Sequence, residues 1–101
     1  MDVEVTNNPE EHRYEVRADG DLAGYTVYRE RPGLIVFVHT EIDQRFEGQG
    51  LASQLIRAAL EDAKGRELQV LPFCPFVNGY IERHREYVEL VPEEFRPEFG
   101  L

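Results

Sequence analysis

The stretch Glu47-Gly48-Gln49-Gly50-Leu51-Ala52 sets two glycines between an apolar run and a helical pattern. Glycines at alternate positions can take positive φ and bring bare amides against a ligand with no Cβ in the way. If a helix begins near Gln49 or Gly50, its first N–H groups have no internal partner and carry partial positive charge. Together these suit a phosphate or pyrophosphate. The same glycines also serve a purely geometric strand-to-helix turn, so both readings stand at this point. A nucleotide P-loop is disfavoured because no Gly-Lys-Ser/Thr follows.

The elements that must position this turn are legible on either side of it. Val3 to Thr6, Arg13 to Ala18, Ala23 to Glu30 and Leu34 to Ile42 have the alternating, β-branched or aromatic character of strands. Asn7-Asn8-Pro9, Asp19-Gly20-Asp21 and Arg31-Pro32-Gly33 punctuate them, giving an antiparallel meander. The last strand has two alternating sets, Ile35/Phe37/His39/Glu41 and Leu34/Val36/Val38/Thr40, apolar at first and polar at the end. That pattern predicts a central strand buried on both faces that opens into a site at its C-terminal end. After the glycines, Ala52, Leu55, Ile56, Ala59, Leu60 and Ala63 recur at helical spacing, and Gly65 offers a stop. Leu68 to Leu71 then reads as a short strand, whose pairing should fail near Pro72 for want of a backbone donor. Pro75 suits the first turn of a second helix carrying Phe76, Val77, Tyr80, Ile81 and His84 on one stripe. Glu89 to Leu101 reads as an irregular tail that packs by its aromatics.

A chain of 101 residues makes one domain, residues 1–101, able to bury roughly two thirds of its unfolded surface. Its 42% hydrophobic content is that of a globular protein, and no apolar run approaches the roughly 20 residues of a membrane helix. Met1 to Asn8 has no basic segment leading into an apolar core, so a cytoplasmic setting is expected, with no membrane partner. The single Cys74 excludes an internal disulfide framework and agrees with a reducing compartment. A formal charge of −9 argues against nucleic acid and favours cationic partners. The acidity serves either simple solubility or substrate steering. Any polyanionic ligand must then be held by local backbone dipoles and a few side chains.

The order of strands, long central strand, glycine turn, helix, short strand and second helix resembles the GNAT-superfamily N-acetyltransferases. In that family a motif written Gln/Arg-x-x-Gly-x-Gly/Ala holds the pyrophosphate of coenzyme A. Arg45 to Gly50 matches the letters, but Glu47 to Ala52 fits the usual run better. In that preferred register Glu47 stands where Gln or Arg is expected, and either it points away or Arg45 compensates. Pro72-Phe73-Cys74-Pro75-Phe76-Val77, Tyr80-Ile81, His84, Glu86-Tyr87 and the phrase His39-Thr40-Glu41-Ile42 are similar to the small single-domain branch called YjdJ-like. The likeness runs from about Tyr14 to Leu90. It implies an α+β, GNAT-like fold: a mostly antiparallel twisted sheet, a long helix after the glycine turn, and a second helix after the last motif strand. The two helices with which larger members shape the acceptor pocket are missing.

The resemblance implies acetyl-CoA as co-substrate and an amine acceptor, small molecule or protein and peptide. A cationic amine must lose a proton at neutral pH, and Glu41 or His39 at the open strand end could take it. Each also has a plain reading, as a solvated carboxylate and a hydrogen-bonded structural histidine. An N–H freed where the central strand parts from the Pro72 strand, with Ile42 the expected donor, would polarise the thioester carbonyl. Gly48, Gln49, Gly50, Leu51, Ala52 and Ser53 would hold the pyrophosphate. Tyr80 sits at the family's general-acid position, on a stripe that equally suits packing. Cys74, expected at the mouth of the cleft next to a helix start, is a nucleophile, a lining of the coenzyme channel, or a small buried hydrophobe. His39, Glu41 and Cys74 show no metal-ligand spacing, so no metal is expected. The expected activity is direct acetyl transfer by a monomer or weak dimer. The alternative is a non-catalytic acyl-CoA-binding or protein-interaction module on the same scaffold.

Overall fold

A computed structural model describes all residues, 1–101. The strands β1 (Val3–Asn8), β2 (Arg13–Ala18), β3 (Asp21–Arg31) and β4 (Leu34–Ile42) form the antiparallel meander. Helix α1 (Leu51–Gly65) crosses over to β5 (Gln69–Pro72), which lies parallel to β4, and α2 (Pro75–Arg83) follows. The sheet order is β1-β2-β3-β4-β5. This is the expected α+β arrangement, with β1 and β3 longer than the pattern suggested and β5 displaced one residue onward.

Leu51, Leu55, Ile56, Ala59, Leu60 and Ala63 are buried along α1, and the alanines among them let the helix lie close to the sheet. Each fully buried leucine or isoleucine here contributes on the order of 2 kcal/mol. The left-handed residue that ends the helix region is Glu67, at φ 58°, whereas the expected stop Gly65 is still helical. In α2 the buried stripe is Val77, Tyr80 and Ile81, while Phe76 stands half exposed. The segment after α2 is a pair of 3-10 turns, Arg85–Leu90 and Glu93–Phe99, rather than an irregular tail. Tyr87 ties it to α1 by donating to Glu61 Oε2 at 2.6 Å. Burial, and then that carboxylate, push the phenol up to about 12. Phe99 packs edge-on against Phe73 as an aromatic anchor, with ring centroids 5.1 Å apart.

Both helices and one sheet face share a single core, built on Tyr14, Val16, Ala23, Tyr28, Ile35 and Phe37. The expectation that β4 is buried on both faces is corrected: Leu34 and Val36 are only half-buried and Val38 is exposed. No element is stacked over the second face. A polar network covers part of it instead. Glu15 is 4% exposed there, accepting from Arg13 Nε at 2.8 Å, Arg17 Nη2 at 3.1 Å and Asn8 Nδ2 at 3.1 Å.

Burial alone would raise the Glu15 carboxyl, but the hydrogen bonds from Arg13, Asn8 and Arg17 outweigh it and hold the group below its ordinary 4.5. A depressed folded-state value gives stability that is complete above the unfolded-state value and lost as pH falls through the folded one. Glu15→Gln should therefore lower stability at neutral pH by about 1–2 kcal/mol. The gap from the parent should close as the solution is made strongly acid. Urea unfolding at neutral and acid pH measures both; identical curves for the two proteins would remove Glu15 from the stabilising groups.

Candidate functional site

The site is made by one extra residue in β4. Tyr28 pairs with Phe37 but Val27 pairs with His39, so Val38 has no opposite partner on β3. A bulge of this kind reverses the alternation of every residue after it. His39 and Glu41 therefore leave the face of Ile35 and Phe37, where the sequence pattern put them, and emerge on the uncovered face. Thr40 takes the core side, bonded to Thr26 Oγ1 at 2.9 Å and accepting from Cys74 Sγ at 3.1 Å. On its other edge β4 pairs with β5 only from Leu34 to Phe37, opposite Gln69 to Pro72, as expected of the proline. The last bond across is Cys74 N–H to Phe37 O at 3.0 Å. Beyond it the two strands part.

The alternation of antiparallel bonds decides which β4 amides face this gap. Asp43 N–H reaches Ala23 O at 2.7 Å, so Asp43, Glu41 and His39 turn their main-chain groups to β3. Thr40 and Ile42 turn theirs to the gap, leaving the Ile42 N–H there as a donor.

Next to Ile42, Gly48 and Gly50 adopt φ 81° and 75°. Gly50 caps α1, no side chain bonds to the helix start, and the first turn holds no acid. The first internal bond is Gln54 N–H to Gly50 O, so the amides of Leu51, Ala52 and Ser53 lie free. These residues line a cavity of about 260 Å³ together with Ile42, Phe46 and Phe76. Gln49 does not line it. Glu47 stands at its rim, and Arg45 is engaged elsewhere: its guanidinium pairs with Asp43 at 3.2 Å and lies 5.2 Å over the Phe46 ring. Arg45 holds the Asp43 carboxyl below the ordinary carboxylate range and is not free to neutralise Glu47.

A second cavity, about 480 Å³, opens on the uncovered side. Glu41, Tyr25, Gly24 and Asp43 line it, and Ile42 and Glu47 border both spaces. Tyr25 donates to Glu41 Oε2 at 2.5 Å, and His39 Nε2 is 3.7 Å from the same oxygen. The Tyr25 hydroxyl, and then His39, hold the Glu41 carboxyl below its usual range.

Cys74 is not at the mouth of the cleft. It is 3% exposed, starts α2, and lines neither cavity. The sheet stands between it and the His39–Glu41 pair, so the three do not converge on a metal or on a thiol–base pair. Tyr80 lies one helical turn past Phe76, 5% exposed, its ring stacked 4.0 Å from that of His84. Burial raises its phenol above 10.0. Five residues of this site carried no functional reading in the sequence: Tyr25, Thr40 and Asp43, whose places depend on strand register, Phe76, placed by the packing of α2, and Gly24, where a glycine inside a strand does signal close approach of another backbone.

The family model described as GCN5-related N-acetyl-transferase matches residues 13–90. Among solved structures, the solution structure of a GCN5-like candidate N-acetyltransferase from Staphylococcus aureus has a TM-score of 0.67 at 21% identity, covering 88% of this chain and 87% of that one. A ribosomal-protein-alanine N-acetyltransferase from Brucella melitensis biovar Abortus 2308 gives 0.55 at 21% identity, over 79% of this chain and 61% of its own. Ard1 from Thermoplasma volcanium gives 0.53 at 21% identity, over 60% of this chain and 43% of its own. At these identities the likeness is one of fold, and the chain spans less than two thirds of the last two. A search of curated proteins finds no match.

Gly24 sits under the end of β4, where a Cβ would meet Glu41 O at 2.6 Å and Ile42 Cα at 3.2 Å. Main-chain atoms cannot yield as a flexible side chain can, so Gly24→Ala should cost about 1–3 kcal/mol and displace Glu41 and Ile42 together. A thermal melt and the amide chemical shifts of residues 40 to 43 report this; an unchanged spectrum would show that β4 is not held by that approach.

Proposed function

This chain belongs to the GCN5-related N-acetyl-transferase family, and from that premise we propose an acetyl-CoA-dependent enzyme that acetylates a cationic primary amine by direct transfer. The observation that carries this reading is the uncapped start of α1 beside the β4–β5 gap: free amides next to a single strand amide, Ile42 N–H. In the proposed mechanism Gly48, Gly50, Leu51, Ala52 and Ser53 hold the pyrophosphate through their amides, as the helix start favours. The thioester lies along the gap with its carbonyl oxygen on Ile42 N–H, which stabilises the oxyanion as it forms.

The amine approaches from the uncovered face. Glu41, ionised at neutral pH and with its side chain 58% exposed, takes the ammonium proton directly or through His39 and passes it to water. The neutral nitrogen attacks the carbonyl carbon, the C–N bond forms, and the C–S bond breaks. The departing thiolate receives a proton from Tyr80, whose raised phenol is protonated beforehand and is restored through solvent by the second proton, which the nitrogen sheds after attack. A covalent route through Cys74 is disfavoured, because its thiol is 3% exposed and donates to Thr40 Oγ1. The net charge of −9 suits a cationic acceptor. The bare outer face leaves room for a lysine on a peptide or protein as readily as for a small polyamine.

Calorimetry with acetyl-CoA, followed by turnover on polyamines and lysine peptides, tests the reading; absence of binding at millimolar ligand sinks it. Tyr80→Phe should lower kcat about a hundredfold while the Kd for acetyl-CoA stays unchanged. Cys74→Ala should keep its rate, and a collapse of turnover there would restore the covalent route.

A further inference from the structure

The uncovered sheet face holds a chain of side chains that spans three strands and ends on Glu41. At its base is Glu15 on β2, nearly inaccessible and fixed by Asn8, Arg13 and Arg17. Arg13 is thereby held with its guanidinium carbon 4.5 Å from the centre of the Tyr25 ring, a cation–π contact that sets the ring's tilt. Register places Glu15 opposite Tyr25 and Tyr25 opposite Glu41. The Tyr25 hydroxyl is then delivered to Glu41 Oε2, the same oxygen that His39 approaches. The other carboxylate oxygen, Oε1, makes no hydrogen bond, and Glu41 lines the larger cavity.

From this geometry we propose that Tyr25 is a positioning residue for Glu41, fixing Oε2 so that Oε1 meets the incoming ammonium. The inference rests on the reading of Glu41 as the proton acceptor. Without the phenol, an exposed strand-end glutamate has several rotamers of similar energy, and only some reach the gap beside Ile42. With it, the carboxylate is presented in one orientation at little cost at the moment of reaction. The other ionisable groups facing Glu41 are His39 on β4, Arg13 and Glu15 behind Tyr25 on β2, and Asp43 and Glu47 across the cavity. None of them hydrogen-bonds to Oε1.

Tyr25→Phe removes the hydroxyl and keeps the ring under Arg13, so the fold is retained, which circular dichroism checks. Loss of a hydrogen bond to the charged form favours the neutral acid. The Glu41 carboxyl, followed by carbon-13 NMR and assigned with Glu41→Gln, should titrate at higher pH in Tyr25→Phe than in the parent. The acidic limb of kcat/KM for the amine should move upward with it, kcat should fall, and KM for acetyl-CoA should hold. A carboxyl titration and an acidic limb that both stay in place, with Glu41→Gln inactive, overturn the role of Tyr25 alone. Undiminished kcat in Glu41→Gln overturns the proton-acceptor reading and this inference with it.

Discussion

Everything at the candidate site depends on the way β4 stops behaving as an ordinary central strand halfway along. The bulge at Val38 and the proline that ends β5 act within a few residues of each other. The first redistributes side chains between the two faces; the second removes the neighbour that would have taken the main-chain bonds of Thr40 and Ile42. Neither alone would make a site. A bulge in a fully paired strand would only re-aim side chains, and a short β5 beside a regular β4 would leave His39 and Glu41 pointing into the core. Together they open a gap with unspent donors and put His39 and Glu41 on its outer side.

That division also has an electrostatic side. A chain of net charge −9 is a poor general attractor for any polyanion. The start of α1 departs locally from that field, with free amides, no acid in the first turn and no capping side chain to compete. The opposing charges are kept apart from it: Glu41 lies across the sheet, and Asp43 is neutralised by Arg45. Glu47 remains as the one carboxylate at the border of both cavities. The second cavity, by contrast, is bordered by the carboxylates of Glu41, Asp43 and Glu47.

Much of the architecture was legible because it rests on local chemistry. The existence and order of β1 to β4, the glycine turn, the α1 stripe and the termination at Pro72 each follow from residues a few positions apart, and the structure has them where that chemistry requires. The 3-10 turns after α2 were not legible, since Glu89 to Leu101 has neither helical nor strand periodicity and is ordered by what it touches, such as Phe73 against Phe99 and Tyr87 on Glu61. The burial of Cys74, one of three readings its sequence allowed, was decided by the packing of α2 on β4.

The sequence by itself determined the element order, the family and the glycine turn between β4 and α1, because backbone preferences and hydrophobic period act over short spans of chain. Tertiary structure alone decided which side chains meet. The period of a strand is two, so a single unpaired residue at Val38, visible only in the β3–β4 register, reverses the faces of His39, Thr40 and Glu41. The contacts of Tyr25 with Glu41 and of Thr40 with Cys74 follow from that one reversal. No pattern within β4 encodes it, because the bulge is a property of two paired strands rather than of one.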